Sequence, residues 1–337
     1  MDKRKITADL KKESWEEFVF RHPLGNIFQT PEIFEVYKNT KNYEPLLRAI
    51  IDENGSIIAV LLAVVQKDLG GMFGNFTARA VISGGPLTRS GGNENEAVRI
   101  LLEALSKDIG KKVVYLQFRN LFDCSAFKAE FDAVGYRMEE HLNFIINLNQ
   151  DEERLWDELY SAKRRAIKKA INEKLEVKIL SQPHQIKESF DILKSFYRKI
   201  RIPLPDKSYF DSIFQILYPK NMAKAFGVYY LDKMIGALYV FLYKNTITVG
   251  YTASLLKHRS KRPNDILYWE AIKWGSRNGY KIFDFGGAGA PDRKYGVRDF
   301  KKQFGGATVN YGRFFKTYKP VYAALINAGL KFLSRFR

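Results

Sequence analysis

The same order of predicted strands and helices occurs twice in this 337-residue chain. Each copy has a strand, a turn with an acidic residue, a long apolar strand, and then a helix followed by a buried strand. Strands that alternate with helical segments are typical of α/β units in which the helices cover a sheet. The copies agree in pattern and not in identity, so the sequence predicts two similar units of mixed α/β structure.

The bounds of these elements follow from apolar periodicity and from turn residues. In the first copy we predict strands at 46–51, 56–66, 113–118 and 143–148, with helices at 95–109 and 127–134. In the second copy we predict strands at 225–230, 234–243, 246–253 and 281–285, with a helix at 266–278. The predicted domains are 1–150, 151–319 and a C-terminal helix at 320–337.

Residues 151–174, between the copies, predict one amphipathic helix. Its predicted buried stripe recurs at helical spacing and consists of Leu155, Leu159, Ala162, Ala166 and Ala170. Its later turns carry a cationic cluster made of Lys163, Arg164, Arg165, Lys168 and Lys169. Two interpretations of this cluster stay open: a solvated helix face, or a surface that binds phosphate. Downstream, Arg198 and Arg201 flank a proline-containing loop and are predicted to hold phosphate, unless they pair with nearby carboxylates.

Charge and cysteine content narrow the classes of function. The chain has 55 Lys and Arg against 37 Asp and Glu, a net charge of +18, which favours an anionic partner over simple solubility. The single Cys124 excludes an internal disulfide, and the four histidines lack metal-ligand spacing, so we expect no metal site. The charged N-terminus does not have the pattern of a signal peptide, and we expect a cytoplasmic protein.

Residues 258–304 are similar to the second half of an N-acyltransferase domain. In the acetyltransferase superfamily a basic, glycine-rich turn opens a helix, and its N–H groups hold the diphosphate of coenzyme A. Here the turn at 259–265 reads RSKRPND and contains no glycine. Without glycine, backbone with positive φ and close approach to a diphosphate are disfavoured. This difference predicts an acyl donor other than acetyl-CoA.

The chain as a whole resembles the FemABX family, the aminoacyl-tRNA-dependent peptidyltransferases that add amino acids to peptidoglycan precursors. The matching stretches are NIFQTP at 26–31, the segments 155–172 and 196–210, RPN at 262–264, DFGG at 284–287 and FKKQFGG at 300–306. The resemblance implies an α/β fold of two tandem acetyltransferase-like (GNAT-type) subdomains. The chain lacks the long helical-hairpin arm that some members carry, so it resembles a compact form.

The resemblance also implies the catalytic residues. The family's essential Phe-Lys pair falls on Phe300 and Lys301, where a fixed cation would stabilise the oxyanion that forms when an amine attacks an ester. The alternative for Lys301 is a surface lysine. Asp284, at the end of a predicted buried strand, would orient the attacking amine or accept its proton. Its alternative is a carboxylate that only caps the turn at Gly286 and Gly287.

The remaining candidates are predicted to bind substrate. They are Lys38, Arg164, Tyr197, Arg198, Arg201, Tyr251, Asn264, Gly286 and Gly287. Lys38 occupies the family's early lysine position, where relatives contact substrate phosphate; a lysine on a helix surface is the alternative.

The expected function is transfer of an amino acid from aminoacyl-tRNA to an amine of a phosphate-linked or lipid-linked envelope precursor, without a cofactor or metal. An acyl-CoA-dependent N-acyltransferase acting on surface polysaccharide or amino sugar is the first alternative. A non-enzymatic RNA- or membrane-binding module is the second.

The C-terminal segment predicts a peripheral membrane contact. From Pro320 it reads PVYAALINAGLKFLSRFR, with a narrow polar stripe and a broad apolar face. Such a helix suits the interface of an anionic membrane at the inner face, and packing onto its own domain is the alternative.

Overall fold

The computed structural model describes residues 4–67, 78–91 and 93–324. The strands among these residues are β1 (Lys5–Thr7), β2 (Tyr43–Ile51), β3 (Ile57–Gln66), β4 (Arg79–Ser83), β5 (Leu87–Thr88), β6 (Tyr115–Arg119), β7 (Arg137–Glu139), β8 (Leu142–Asn147), β9 (Glu176–Ile179), β10 (Ala223–Tyr230), β11 (Lys233–Tyr243), β12 (Thr246–Ser254), β13 (Ile282–Gly287), β14 (Ala307–Asn310) and β15 (Arg313–Thr317).

The α-helices in the same ranges are α1 (Lys12–Arg21), α2 (Pro31–Lys38), α3 (Glu94–Ile109), α4 (Lys128–Ala133), α5 (Glu152–Asp157), α6 (Ser161–Asn172), α7 (Pro183–Ile200), α8 (Lys207–Ser212), α9 (Pro263–Arg277) and α10 (Gly296–Lys302). The strands and helices predicted in both copies are confirmed, and their bounds agree with the structure within a few residues. No described helix is long and apolar enough to cross a membrane.

The chain forms two compact units, and their bounds differ from the predicted domains. The first unit consists of residues 1–140 and 311–337, and the second of residues 141–310. The strand predicted at 143–148 to close the first copy is β8, which pairs with β13 and β14 in the second unit. In return β15, which lies inside the predicted second domain, pairs with β6 and β7 in the first unit. Each unit therefore takes one strand from the other half of the sequence.

The sheet of the first unit has the order β1-β2-β3-β4-β6-β15-β7, with β5 added beside β3. β4 and β6 run parallel because α3 connects them as a crossover, and they pair along all five residues, from Arg79 with Tyr115 to Ser83 with Arg119. The NIFQTP stretch leads into α2. Gln29 within it is buried and bonds the backbone of Leu62, so this glutamine joins the segment to the sheet.

The second unit is a sheet with the order β14-β8-β13-β12-β11-β10-β9 and helices on both faces. Alternate residues of β11 face opposite sides, as strand geometry requires. Leu238 and Val240 join the apolar core that α6 and α9 cover. Tyr239 points to the other face, where its hydroxyl lies 2.5 Å from Ser189 Oγ of α7.

The prediction of a single helix at 151–174 is wrong. The structure has α5 and α6 with a break at 158–160, where the Tyr160 N–H donates to the Gln303 carbonyl at 3.0 Å. The predicted stripe also differs, because Ala162 is exposed and Lys163 is buried in its place. The C-terminal helix begins at Pro320, and residues 325–337 of that predicted helix lie outside the described residues.

Candidate functional site

Two parallel strands of the second unit separate and open a wedge in the sheet. β12 pairs with β13 from Thr246 with Ile282 to Thr248 with Asp284. β12 then continues along β11 to Ser254, while β13 turns away through a register shift between Asp284 and Gly287 against β8. Beyond Thr248 and Asp284 the two strands no longer pair with each other, so the sheet is open at this point.

Asp284 lies where the two strands part. It is buried, and its Oδ1 accepts a hydrogen bond from the Gly286 N–H at 2.7 Å, so it does cap the turn as its alternative interpretation predicts. Burial raises the pKa of this carboxyl to about 6, against the lowering effects of the Gly286 N–H and of the Lys301 charge. Gly286 has φ +68°, which permits the turn that brings its N–H back to the carboxylate. A carboxylate with this pKa is suited to take a proton near neutral pH.

Lys301 is buried on α10 and is not the surface lysine of the alternative interpretation. Its Nζ donates to the carbonyl of Phe285 at 2.6 Å, that of Gly287 at 2.8 Å and that of Gly286 at 3.2 Å. An ammonium group has three hydrogens, and three carbonyls of the β13 turn accept from it. The lysine therefore fixes the backbone beside Asp284 and also places a positive charge there.

Phe300, the neighbour of Lys301, lies against a second buried lysine. The Nζ of Lys163 is 3.7 Å from the ring centroid of Phe300 and 4.3 Å from that of Phe304. The same Nζ is 2.6 Å from Asp265 Oδ1, and the Lys163 side chain is 1% exposed. Burial lowers the pKa of the Lys163 ammonium, while the Asp265 carboxylate opposes that shift. This ion pair and its two rings join α6, α9 and α10 behind the wedge.

Aromatic residues line one side of the opening. The Tyr251 ring on β12 lies 6.2 Å from that of Tyr197 and 5.8 Å from that of Tyr209. The Tyr197 hydroxyl bonds the backbone of Thr252, and burial raises its pKa, so it stays protonated. Asn264 Oδ1 is buried without a hydrogen-bond partner among the described residues. Since a buried polar atom normally has a hydrogen-bond partner, this oxygen is a candidate to accept a hydrogen bond from a substrate.

The start of α9 has the place of the diphosphate-binding turn in acetyltransferases, but its groups do not fit a diphosphate. Arg262 adopts φ +64° without being glycine, Pro263 has no N–H, and the N–H of Asp265 donates to the Arg262 carbonyl at 3.1 Å. The Asp265 carboxylate lies in the first turn, where it interacts with Lys163. The carboxylate of Asp265, paired with Lys163, thus occupies the positive end of the helix that a diphosphate would use.

The corresponding helix of the first unit begins in a similar way. Glu94 in the first turn of α3 accepts from the Gly91 N–H and from the Thr88 hydroxyl, both at 3.3 Å. A carboxylate of the chain thus occupies the first turn of the crossover helix in each unit.

The predicted phosphate-binding arginines differ in their surroundings. Arg164 Nη1 donates to the carbonyls of Asp157 and Leu159, both at 2.9 Å, so it caps the end of α5. Arg198 and Arg201 are exposed in the last turn of α7 and at its C-cap, and Arg201 has φ +55°. A role in phosphate binding stays a prediction for these two exposed arginines.

Lys38 belongs to the first unit, whereas the other candidate residues lie in the second. It lies in the last turn of α2, its side chain is 64% exposed, and its Nζ is 3.9 Å from Glu35 Oε1. This surrounding is that of a surface lysine on a helix. Contact with substrate phosphate stays a prediction for Lys38.

Sequence reasoning missed Lys163, Asp265 and Tyr268 as parts of the site. The signal for Lys163 is present, because Leu159, Lys163 and Ile167 are spaced by four residues and so share a helix face. Tyr268 follows Asn264 by one turn of α9, and its ring stacks on Phe285 at 5.3 Å. Among the described residues, no group of His, Cys, Asp or Glu has the arrangement of a metal site.

A family model described as an acetyltransferase (GNAT) domain matches residues 160–302. That range contains the wedge, Asp284 and Lys301. No curated protein matches the chain by sequence.

Solved structures share the fold at low identity. The crystal structure of FemX is 15% identical, with 95% of this chain and 99% of that chain covered and a TM-score of 0.70. The structure of L-PGS from Bacillus licheniformis is 16% identical, with 94% and 96% covered and a TM-score of 0.59. A tandem GNAT protein from the clavulanic acid biosynthesis pathway is 10% identical, with 94% and 99% covered and a TM-score of 0.59. The fold is that of two tandem acetyltransferase-like domains, as the sequence predicts.

Proposed function

We propose that this chain is a FemABX-like N-acyltransferase. It moves an amino acid from aminoacyl-tRNA to an amine of a phosphate-linked envelope precursor, such as a peptidoglycan lipid intermediate. The structural similarity to FemX and to L-PGS supports an aminoacyl donor, and the acetyltransferase domain match supports acyl transfer to nitrogen. The acceptor would be presented at the inner face of the cytoplasmic membrane.

One observation carries the choice of donor, namely the carboxylate of Asp265 in the first turn of α9. In a coenzyme A-dependent domain that turn supplies free N–H groups and a positive helix end to the diphosphate. Here the Asp265 carboxylate occupies the helix start beside Lys163, and Pro263 has no N–H to offer. An aminoacyl ester of tRNA brings no diphosphate to this turn, so it is compatible with the substitution.

The wedge supplies a base for aminolysis of the ester. The acceptor nitrogen attacks the carbonyl carbon of the aminoacyl group, a C–N bond forms, and the bond from that carbon to the ribose oxygen breaks. Asp284 takes the proton that the nitrogen loses and returns it to the ribose oxygen as that oxygen leaves. With a pKa of about 6, the carboxyl is mostly ionised at neutral pH and still able to give the proton back.

Lys301 acts in this proposal through position and charge. Its three hydrogens are directed at carbonyls of residues 285–287, so it holds the turn that contains the Gly286 N–H on Asp284. Its charge also lowers the pKa of Asp284 and favours the developing oxyanion in a site of low polarity. Phe300 helps by packing α10 against Lys163.

The test is transfer itself. Wild-type protein is incubated with a pool of aminoacylated tRNAs and with amine-bearing, phosphate-linked precursors. Addition of an amino acid to the precursor is measured by mass spectrometry. We expect transfer that is lost in Asp284→Asn, a variant of nearly equal size. Absence of transfer across donors and acceptors would refute the proposal.

An acyl-CoA-dependent N-acyltransferase is the second candidate, favoured by the acetyltransferase domain match over residues 160–302. Calorimetry separates the two candidates without an acceptor. Tight binding of coenzyme A to the full chain would support this candidate and contradict the reasoning from Asp265.

A further inference from the structure

Three loops of the second unit meet at one end of its sheet, and we call them the basic tip: residues 171–174, 231–233 and 256–262. Lys261 joins them, because its Nζ donates to Glu173 Oε2 at 2.5 Å and lies 4.1 Å from the ring centroid of Tyr230. The His258 ring lies 5.8 Å from the same tyrosine ring. The loops therefore form one continuous surface.

The basic tip is strongly cationic. It contains six cations and two carboxylates. The cations are Lys174, Lys233, Lys257, Arg259, Lys261 and Arg262. Of the carboxylates, Glu173 is paired with Lys261, and Asp232 lies near Lys178, whose pKa is raised mainly by Glu176 and also by Asp232. The remaining positive charge points to solvent and fits an anionic partner.

Large aliphatic side chains are exposed among these cations. Leu231 is 75% exposed, Ile171 54% and Leu256 40%. Leu231 lies in the turn between β10 and β11 with φ +49°, a conformation that is unfavourable for leucine. A polar residue or glycine is usual in such a turn. The fold of the unit therefore does not explain a leucine there.

We propose that the basic tip docks on the surface of an anionic lipid bilayer. Leu231 and Leu256 would enter the boundary of the acyl chains, while the lysines and arginines would contact lipid phosphates. RNA is the other anionic polymer to consider, but its bases are bound by aromatic stacking and hydrogen bonds. The large hydrophobic side chains that the tip exposes are aliphatic, which favours lipid.

The position of the tip links this inference to the site. Residues 256–262 connect the separated part of β12 directly to Asn264 at the wedge. Docking would thus hold the wedge near the headgroups, where a lipid-linked acceptor is presented. Only this last link rests on the proposed function; the docking itself does not.

Sedimentation with vesicles tests the docking on the full chain without any substrate. Vesicles of phosphatidylcholine alone are compared with vesicles that also contain phosphatidylglycerol. The charge variant is Lys257→Glu with Arg259→Glu, and the apolar variant is Leu231→Ser with Leu256→Ser. The matched control is Lys187→Glu with Lys194→Glu, an equal charge change on exposed lysines of α7, which covers the opposite face of the sheet.

We expect wild-type protein to bind only the anionic vesicles. The charge variant should lower the partition coefficient at least about tenfold, and the control should change it less than about twofold. The apolar variant should lose the part of the binding that persists at high salt, since that part does not depend on charge. The two tip variants change different residues, so poor folding of one leaves the other informative.

Several results would overturn the inference. Unchanged vesicle binding in both tip variants would mean that another segment holds the membrane. An equal loss in the α7 control would mean a general charge effect. A third result is that the charge variant keeps vesicle binding and loses binding to deacylated tRNA, which would make the tip an RNA-binding surface. None of these results depends on whether the protein transfers an acyl group.

Discussion

Replacing Lys301 by methionine should destabilise the second unit and not only slow the reaction. The lysine is 6% exposed, and its two short hydrogen bonds, to the carbonyls of Phe285 and Gly287, are 2.6 and 2.8 Å long. A hydrogen bond to a charged group contributes at least about 1.5 kcal/mol, so the loss of both costs about 3 kcal/mol. Methionine keeps most of the volume, so a cavity adds little.

Lys302 provides the matched control, because it is the next residue on α10 and is exposed. Its replacement by methionine should change the free energy of unfolding by less than about 0.5 kcal/mol. Urea unfolding followed by tryptophan fluorescence suits the comparison, since three of the four tryptophans, at positions 156, 269 and 274, lie in the second unit. Equal stability of the two variants would refute the role of Lys301 as the donor that holds residues 285–287.

The same variant makes a second prediction about Asp284. Because the Lys301 charge lowers the pKa of Asp284, its removal should raise that pKa above about 6. The acidic limb of the pH–rate profile should then move to higher pH than in the Lys302 control. An unmoved limb, together with a reduced rate, would mean that Asp284 is not the titrating base.

Three other changes test other parts of the site. The pKa of Asp284 is raised from 3.8 to about 6, so between these values the folded state binds a proton that the unfolded state has released. Wild type should therefore lose about 2 kcal/mol of stability as pH rises from 4 to 6, and Asp284→Asn should not. Lys163→Met leaves Asp265 as an unpaired buried carboxylate and should cost about 3–5 kcal/mol in urea unfolding, whereas adding Asp265→Asn should restore much of it; simple additivity would contradict the pairing. Arg198→Ala and Arg201→Ala should each raise the KM for a phosphate-bearing acceptor and flatten its salt dependence, and unchanged kinetics in both would make them ordinary surface residues.

Local patterns in the sequence predict the repeated elements well. The strands β3 and β11 are long apolar runs, and α3 has clear helical periodicity, so each of these elements is specified by its own residues. Local patterns do not predict which sheet a strand joins. β8 and β15 pair with partners far away in sequence, and nothing in their own residues indicates which unit they join. The boundaries at 150 and 319 therefore differ from the structure.

The site shows the same limit. The resemblance at 284–287 and 300–306 points to Asp284 and Lys301, and both are buried at the wedge. It does not indicate that Lys301 is directed at carbonyls, because that depends on how β13 turns after the strands part. The sequence places Lys163 in a run of charged neighbours, although its helix position matches the buried stripe. Its partners Asp265 and Phe300 come from two other helices, which a local pattern does not contain.

The choice of donor is the central claim, and a competition between two isotopes tests it most directly. The protein receives an amine-bearing precursor together with ¹⁴C-labelled aminoacyl-tRNA and ³H-labelled acetyl-CoA, and the two labels on the precursor are counted. Since Asp265 occupies the turn that would hold the diphosphate, we predict ¹⁴C on the precursor and ³H at background. Transfer of ³H without ¹⁴C would contradict the account.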